Sequence, residues 1–274
     1  MTQAPTLSRR HSAGAESARG LLLTVLGEFV LPAGGAAWTS TIIDVLGRLG
    51  VEEKATRQAL MRTAADGWLG AERVGRRTRW QLTDAGSKLL TEGTERIFGF
   101  RAHTAEWDGR WLLVVVRVPE TERPARHRLR TRLAWAGLGT PSPGVWLSPH
   151  PDRLDEVRAV LGEAGVLADA QLFVGSYVGG AELTQVVRQA WDLASIESSY
   201  EQFLAQFEAE VVADTLVAVI DLVHSWRRFP LTDPVLPSEL LPSPWRGESA
   251  ATLFSERHHQ WAGAAREQWQ VLDR

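Results

Sequence analysis

The sequence predicts an α+β multidomain protein with an N-terminal winged helix-turn-helix, a middle ferredoxin-like α+β domain and a C-terminal α-helical domain. Three observations predict this class. Helical patterns and a glycine-centred hairpin follow one another in the first third, strands alternate with helices in the middle, and helical periodicity fills the rest. At 274 residues the chain also exceeds one core of usual size. The patterns suggest a tail at 1–16 and domains at 17–100, 101–181 and 182–274.

Composition excludes several classes of protein. Hydrophobic residues make up 44% of the chain and charged residues 23%, the balance of a soluble globular protein. Cysteine is absent, which excludes disulfides and thiolate metal sites and suits a reducing cytoplasm. The chain has no apolar run of about 18 residues that could span a bilayer. We expect the polar tail at 1–16, which lacks the apolar core of a signal peptide, to be disordered.

Charge is unevenly distributed along the chain. Residues 1–99 contain 13 Lys and Arg against 10 Asp and Glu, a net charge of +3. The chain totals are 30 and 33, so the remaining 175 residues contain 17 and 23, a net charge of −6. This asymmetry favours a module that faces anions, attached to an acidic body.

The first elements follow the order of a helix-turn-helix. A first helical pattern covers Ser17–Leu31, and a second, "TSTIIDVLGRLG", has Thr39 as its expected N-cap and Gly50 as its stop. A third helix then begins at Glu52 and extends to about Asp66. A tight, glycine-containing link between two short helices is typical of this motif.

The third helix is expected to present a cationic face. At about 100° per residue, one side is apolar or small and faces the core: Thr56, Ala59, Leu60 and Thr63. The other side carries cations, an amide and a thioether but no carboxylate: Lys54, Arg57, Gln58, Met61 and Arg62. Cations and amides can contact phosphates and read base edges in a major groove. We therefore predict DNA contacts from Lys54, Arg57, Gln58 and Arg62.

A hairpin rich in arginine follows this helix. Apolar and polar residues alternate on both sides of Gly75-Arg76 in "GWLGAERVGRRTRWQLTDAG", and Thr83 is expected to cap the next helix. In a winged helix such a hairpin is the wing, whose arginines touch the backbone or enter the minor groove. The arginines concerned are Arg73, Arg76, Arg77 and Arg79. A merely solvated surface is the alternative, but the order of the elements favours nucleic acid.

Several of these stretches resemble the N-terminal part of the PaaX family of bacterial transcriptional regulators. They are "ARGLLLTVLGEFV", "RQALMRTAADGWL", "GRRTRWQLTDAG" and "RIFGF", while "WDLASIESSYEQFLAQF" resembles the C-terminal region of the family. The resemblance implies a DNA-binding repressor of phenylacetate catabolism, released by an aryl- or acyl-CoA effector such as phenylacetyl-CoA. Thr63 departs from the pattern, since a larger apolar residue is expected there.

The middle third alternates strands and helices. A buried strand at Trp111–Val118 precedes a helix entered through Pro124, and the strands "GVWLSPHP" and "AQLFVGSYVG" flank a second helix. This order predicts a ferredoxin-like sandwich, with dimerisation as a possible role. Arg126 to Arg132 form either a solvated helix face or an anion-facing patch.

An enzymatic function has little support in the sequence. The resemblance extends to the PaaX middle domain, which is similar to the small CRISPR adaptation nuclease. A metal-dependent nuclease needs paired acidic ligands after the first strand, but only Glu120 is present. No phosphate-binding loop, nucleophile elbow or metalloprotease helix occurs. We therefore expect no catalytic residue, metal or cofactor.

The last third is helical and rich in tryptophan. Trp226, with Arg227 and Arg228, is a candidate effector site, because a CoA thioester needs apolar walls and cations. Core packing is the alternative for the tryptophan. His258 and His259 are expected to be a surface pair, since neighbours on a helix point about 100° apart.

The partners expected are double-stranded DNA with a palindromic operator and a second copy of the chain. An acyl-CoA thioester is a possible further ligand, and no membrane is involved. The alternative reading is an adaptor whose winged helix binds protein.

Overall fold

The structure, a computed structural model, describes residues 18–101, 106–117, 123–208 and 211–274. These residues form two compact units. The head unit consists of the described parts of 1–98, 209–226 and 254–274, and the body unit of those of 99–208 and 227–253. Each unit combines helices with one antiparallel sheet, which confirms the α+β multidomain class. The tail predicted at 1–16 lies outside the described residues.

The helices and strands are numbered in chain order. The helices are α1 (Ala18–Val25), α2 (Thr39–Arg48), α3 (Glu53–Ala65), α4 (Asp84–Phe98), α5 (Arg123–Trp135), α6 (Leu154–Glu163), α7 (Leu183–Ala190), α8 (Leu193–Phe207), α9 (Thr215–Trp226), α10 (Phe229–Thr232) and α11 (Gly247–Leu272). The strands are β1 (Ala36–Trp38), β2 (Leu69–Val74), β3 (Arg77–Leu82), β4 (Arg110–Val115), β5 (Gly139–Ser142), β6 (Val145–Ser148) and β7 (Gln171–Ser176). Among the described residues, no helix combines the length and apolar character needed to cross a membrane.

The head is built on α1, α2 and α3. Gly50, with φ of +78°, ends α2, and Val51 N–H donates to Leu46 O, so α3 can begin two residues later. Leu22, Ile42 and Leu60 lie fully inside the core that these helices share. The predicted tight turn between the second and third helices is therefore present.

The head sheet has the strand order β1-β3-β2. The predicted hairpin is present as β2 and β3, which pair from Leu69–Leu82 to Val74–Arg77. The short strand β1 was not predicted, because its three residues are too few to show an alternation. The expected N-cap role of Thr39 is wrong: α2 begins at Thr39, and its hydroxyl donates instead to Thr78 O at 3.0 Å. Thr83 does cap α4, accepting from Gly86 N–H at 3.0 Å.

The body sheet has the strand order β5-β6-β4-β7, and all its pairs are antiparallel. The chain alternates as strand, helix, two strands, helix and strand, so the predicted three strands are in fact four. β5 was not predicted because it contains Pro141, and proline is found in sheets mainly in edge strands. Leu112 and Val114 of β4 are fully buried with Leu133 of α5 and Val157 of α6.

The last third departs from the predicted continuous helices. The chain leaves the helix at Trp191 and Asp192, and the Asp192 carboxylate accepts from Ser195 N–H at 3.1 Å to start α8. By packing, this third contributes to both units, with 211–226 and 254–274 in the head.

Candidate nucleic-acid interface

The outer face of α3 is open to solvent. Lys54, Arg57, Gln58 and Arg62 are all exposed, and Met61 is 63% exposed. The sequence predicted a face without carboxylates, and this is wrong at one position. Arg57 donates to Glu53 Oε1 from Nε at 2.8 Å and from Nη2 at 2.7 Å. Both side chains are more than half exposed, so this pair is weak and screened by salt.

Helix geometry orders this face into a centre and two flanks. With 3.6 residues per turn, Lys54, Gln58 and Met61 lie along the middle of the exposed side. Arg57 and Arg62 lie about 70° to either side of it. Gln58 and Met61 thus lie on the line that points straight outward, with Lys54 at its N-terminal end and a guanidinium on each flank.

The hairpin arginines divide between two faces, a division that was not predicted from the sequence. Alternation along β3 puts Arg77 and Arg79 on the face of Trp38, with their guanidinium carbons 3.8 and 5.5 Å from its ring centroid. Arg73 pairs with Thr78 and therefore lies on the opposite face, while Arg76 occupies the turn. Within the described part of the chain, none of these four arginines forms an ion pair.

The base of the hairpin is held by a chain of hydrogen bonds. Trp80 Nε1 donates to Thr39 Oγ1 at 2.9 Å, and Thr41 Oγ1 donates to Leu272 O at 3.1 Å. Trp38 N–H donates to Asp273 Oδ1 at 2.9 Å. The C-terminal end of α11 thus holds the base of the hairpin in place. These contacts join residues more than 230 positions apart, so no local sequence pattern could predict them.

The structure gives Trp226 a place in the head core. Its indole is 1% exposed, donates to Ile97 O at 3.2 Å and stacks on Phe254 with ring centroids 4.7 Å apart. Core packing therefore accounts for this side chain. Of its two neighbours, Arg227 is half-buried and Arg228 exposed.

His258 and His259 were expected to be a surface pair, which is wrong for His258. His259 is exposed, but His258 Nε2 lies 2.9 Å from Glu28 Oε1, and their side chains are 16% and 6% exposed. Glu28 belongs to a π-helical turn, Leu26–Val30, that continues α1. No group of potential metal ligands occurs among the described residues.

A buried charged network in the body was missed by sequence reasoning. Arg101 Nη2 donates to Asp233 Oδ2 at 2.7 Å, and the Tyr200 hydroxyl donates to the same oxygen at 2.5 Å. Burial lowers the pKa of Arg101, but the charges and hydrogen bonds of Asp233 and Tyr200 together outweigh this, so the pKa of Arg101 is raised. Burial and the Asp233 charge both raise the pKa of Tyr200, which stays protonated. These residues are distant in sequence and follow no motif.

Other candidate residues of the body remain separate from this network. On α5, Arg126, Arg128 and Arg130 are exposed, while Arg132 Nη1 pairs with Glu163 Oε2 at 2.5 Å. Glu120, the carboxylate on which the nuclease alternative depended, lies outside the described residues.

Comparisons with known proteins assign most of the chain to one family. A family model described as PaaX-like protein matches residues 17–86. The PaaX protein central Cas2-like domain matches 104–187, and the PaaX-like protein C-terminal domain matches 191–271.

Individual proteins resemble the chain over nearly its whole length. The transcriptional repressor PaaX of Escherichia coli (strain K12) is 31% identical over 263 residues, which cover 91% of this chain and 82% of the relative. Among solved structures, the uncharacterized protein Rv0674 from Mycobacterium tuberculosis matches with a TM-score of 0.63 and 26% identity. That match covers 93% of this chain and 98% of the other.

Proposed function

The chain belongs to the PaaX family of bacterial transcriptional regulators, which are not enzymes, and on this premise we propose that it represses transcription by binding duplex DNA through a winged helix. In this proposal α3 enters the major groove and the β2–β3 hairpin is the wing. The observation that carries it is the exposed face of α3, where two arginines flank a central line of Lys54, Gln58 and Met61. That is the arrangement expected of a helix that reads bases between two phosphate walls.

The ion pair on α3 does not oppose this function. An exposed i,i+4 pair such as Arg57–Glu53 contributes only about 0.3–0.5 kcal/mol. Breaking this pair therefore costs little when Arg57 turns from the Glu53 carboxylate to a phosphate. Arg62 forms no ion pair with any described residue and needs no such exchange.

The wing arginines have two roles in the proposal. Arg76 in the turn and Arg73 beside it extend into solvent and can reach phosphates or the minor groove. Arg77 and Arg79 lie against Trp38, which holds their guanidinium groups by cation–π contact. Arginines held in this way lose less conformational entropy when they meet a phosphate.

The body is proposed to be a ferredoxin-like domain that joins two copies of the chain on a palindromic operator. The strand order β5-β6-β4-β7, with one helix after β4 and one after β6, supports the domain assignment. β7 is the last strand of its sheet and exposes Phe173 by 52%, with Val178 just beyond it 98% exposed. Sedimentation of the free chain and of its DNA complex would give the number of copies in each.

The proposed effector is an acyl-CoA thioester such as phenylacetyl-CoA, whose binding releases the protein from DNA. The protein is proposed to act in the cytoplasm. Arg227 and Arg228 are kept as candidate contacts for the phosphates of the effector, while Trp226 has a packing role. A thermal-shift comparison of phenylacetyl-CoA with free CoA tests this. A ligand at 100 times its dissociation constant adds about 2.7 kcal/mol to the free energy of unfolding.

The DNA-binding proposal is tested on a duplex selected from random DNA by the wild-type chain. Arg57→Ala and Arg76→Ala are each expected to weaken binding, and loss of one phosphate contact should reduce the salt slope of log K by about 0.9. Arg158→Ala is the control, because it removes a similarly exposed arginine from the body. If neither head variant differs from this control, or if binding is insensitive to salt, the adaptor function is favoured instead.

A further inference from the structure

Met61 is the least expected residue on the DNA-facing side of α3. It is 63% exposed, although a buried methionine side chain would be the more stable arrangement. An isolated apolar side chain on a surface usually needs no explanation. This one, however, lies on the outward centre line of a helix face whose other large side chains are all polar or charged.

Gln58 is the neighbour that gives Met61 a chemical context. The two residues are three apart on one helix, a spacing that brings side chains together on the surface, with Cβ atoms about 5–6 Å apart. Neither is charged, so neither neutralises a phosphate as a lysine or arginine does. The arginines on both flanks and Lys54, one turn before Gln58, are suited to that, which favours contact of Gln58 and Met61 with the base edges on the floor of the groove.

The chemistry of these two side chains matches one kind of base pair. A glutamine amide can accept from adenine N6 and donate to adenine N7, and an apolar side chain can pack on the C5 methyl group of thymine. In the major groove only A·T and T·A pairs offer both features. We propose that Gln58 and Met61 together read an A·T step in each half-site, with Met61 packed on a thymine methyl group.

This inference rests on the proposed function, since it requires α3 to lie in a major groove. If Met61 instead packed on an apolar patch of another protein, removing a thymine methyl group from the DNA would not change binding.

Deoxyuridine substitution provides a direct test, because it removes only the C5 methyl group from a thymine. On the selected duplex, each thymine in turn is replaced, and binding of wild type and Met61→Ala is measured. For wild type we expect one position per half-site at which affinity falls about fourfold, the equivalent of about 0.8 kcal/mol for one methyl-sized group. For Met61→Ala the same replacement should have no effect, since the contact is already lost.

The Gln58 contact is tested in the same duplex with 7-deazaadenine, which lacks the N7 acceptor. At one adenine per half-site, this replacement should lower the affinity of wild type roughly 2- to 12-fold, because it removes about half of the free energy of a bidentate contact. The affinity of Gln58→Ala should not change at that position. Val271→Ala is the matched control, because Val271 is also 63% exposed and lies on α11 of the head. It should discriminate both base analogues as wild type does.

The results distinguish failure of the Gln58 and Met61 contacts from failure of DNA binding itself. If wild type selects no duplex, the proposed function fails. If wild type selects a duplex but deoxyuridine lowers its affinity and that of Met61→Ala equally, the thymine contact is overturned while DNA binding stands. Equal melting temperatures of the variants, expected because both side chains are exposed, would exclude misfolding as the cause.

Discussion

Replacing Asp233 by Asn is expected to destabilise the body unit by about 3–5 kcal/mol, the cost of leaving a buried charge without its counterion. The magnitude follows from burial, because the side chains of Arg101 and Asp233 are 3% and 1% exposed. Arg101 donates to Asp233 Oδ2 from both Nε and Nη2, at 3.1 and 2.7 Å, and Val235 N–H donates to Oδ1 at 2.7 Å. An amide has one acceptor oxygen, so its NH₂ group would face one of these donors.

Urea denaturation followed by circular dichroism measures this loss. With a slope of about 2 kcal/mol per molar urea, the midpoint should fall by about 1.5–2.5 M. Asp155→Asn is the matched control in the same unit, since it breaks a pair with Arg158 whose side chains are 95% and 56% exposed. Its midpoint should move by less than about 0.5 M, because exposed pairs contribute little.

A double variant separates loss of charge balance from loss of packing. Arg101→Met combined with Asp233→Asn removes both charges and keeps at position 233 an oxygen that can accept from Tyr200 or Val235. It should cost less than Asp233→Asn alone, because no unpaired charge remains. The reasoning is refuted if Asp233→Asn is no worse than Asp155→Asn, or if the double variant is the less stable of the two.

The remaining predictions concern pH and backbone contacts. Burial, reinforced by Arg153, lowers the pKa of His150 below 6.5, so the unfolded chain binds the proton first as pH falls. Wild type should therefore keep its full unfolding free energy above about pH 7 and lose part of it below 6.5, and His150→Gln should lose less across that range in urea titrations. Gly86→Ala should strongly lower the melting temperature, since the added Cβ would lie 2.1 Å from Trp68 O, whereas Gly93→Ala in the same helix meets no atom within 4 Å and should stabilise by up to about 1 kcal/mol.

The features that the sequence predicted well depend on local periodicity. A helix repeats every 3.6 residues and a strand every two, so the outer face of α3 and the β2–β3 hairpin could be placed from residue types alone. The same periodicity could not reveal β5, because Pro141 breaks the pattern of an interior strand. Nor could it show that α11 braces Trp38, because the two are joined only when the chain is folded.

By itself, then, the sequence determined which side chains α3 presents to solvent and which arginines surround the hairpin turn, because those properties follow from spacing within one element. Only the tertiary structure decided that Arg77 and Arg79 stack on Trp38 while Arg73 does not, since strand pairing sets the partners of each face. It also decided that Arg101 neutralises Asp233 across 132 residues. The physical reason is that burial can bring together charges that no short stretch of sequence contains.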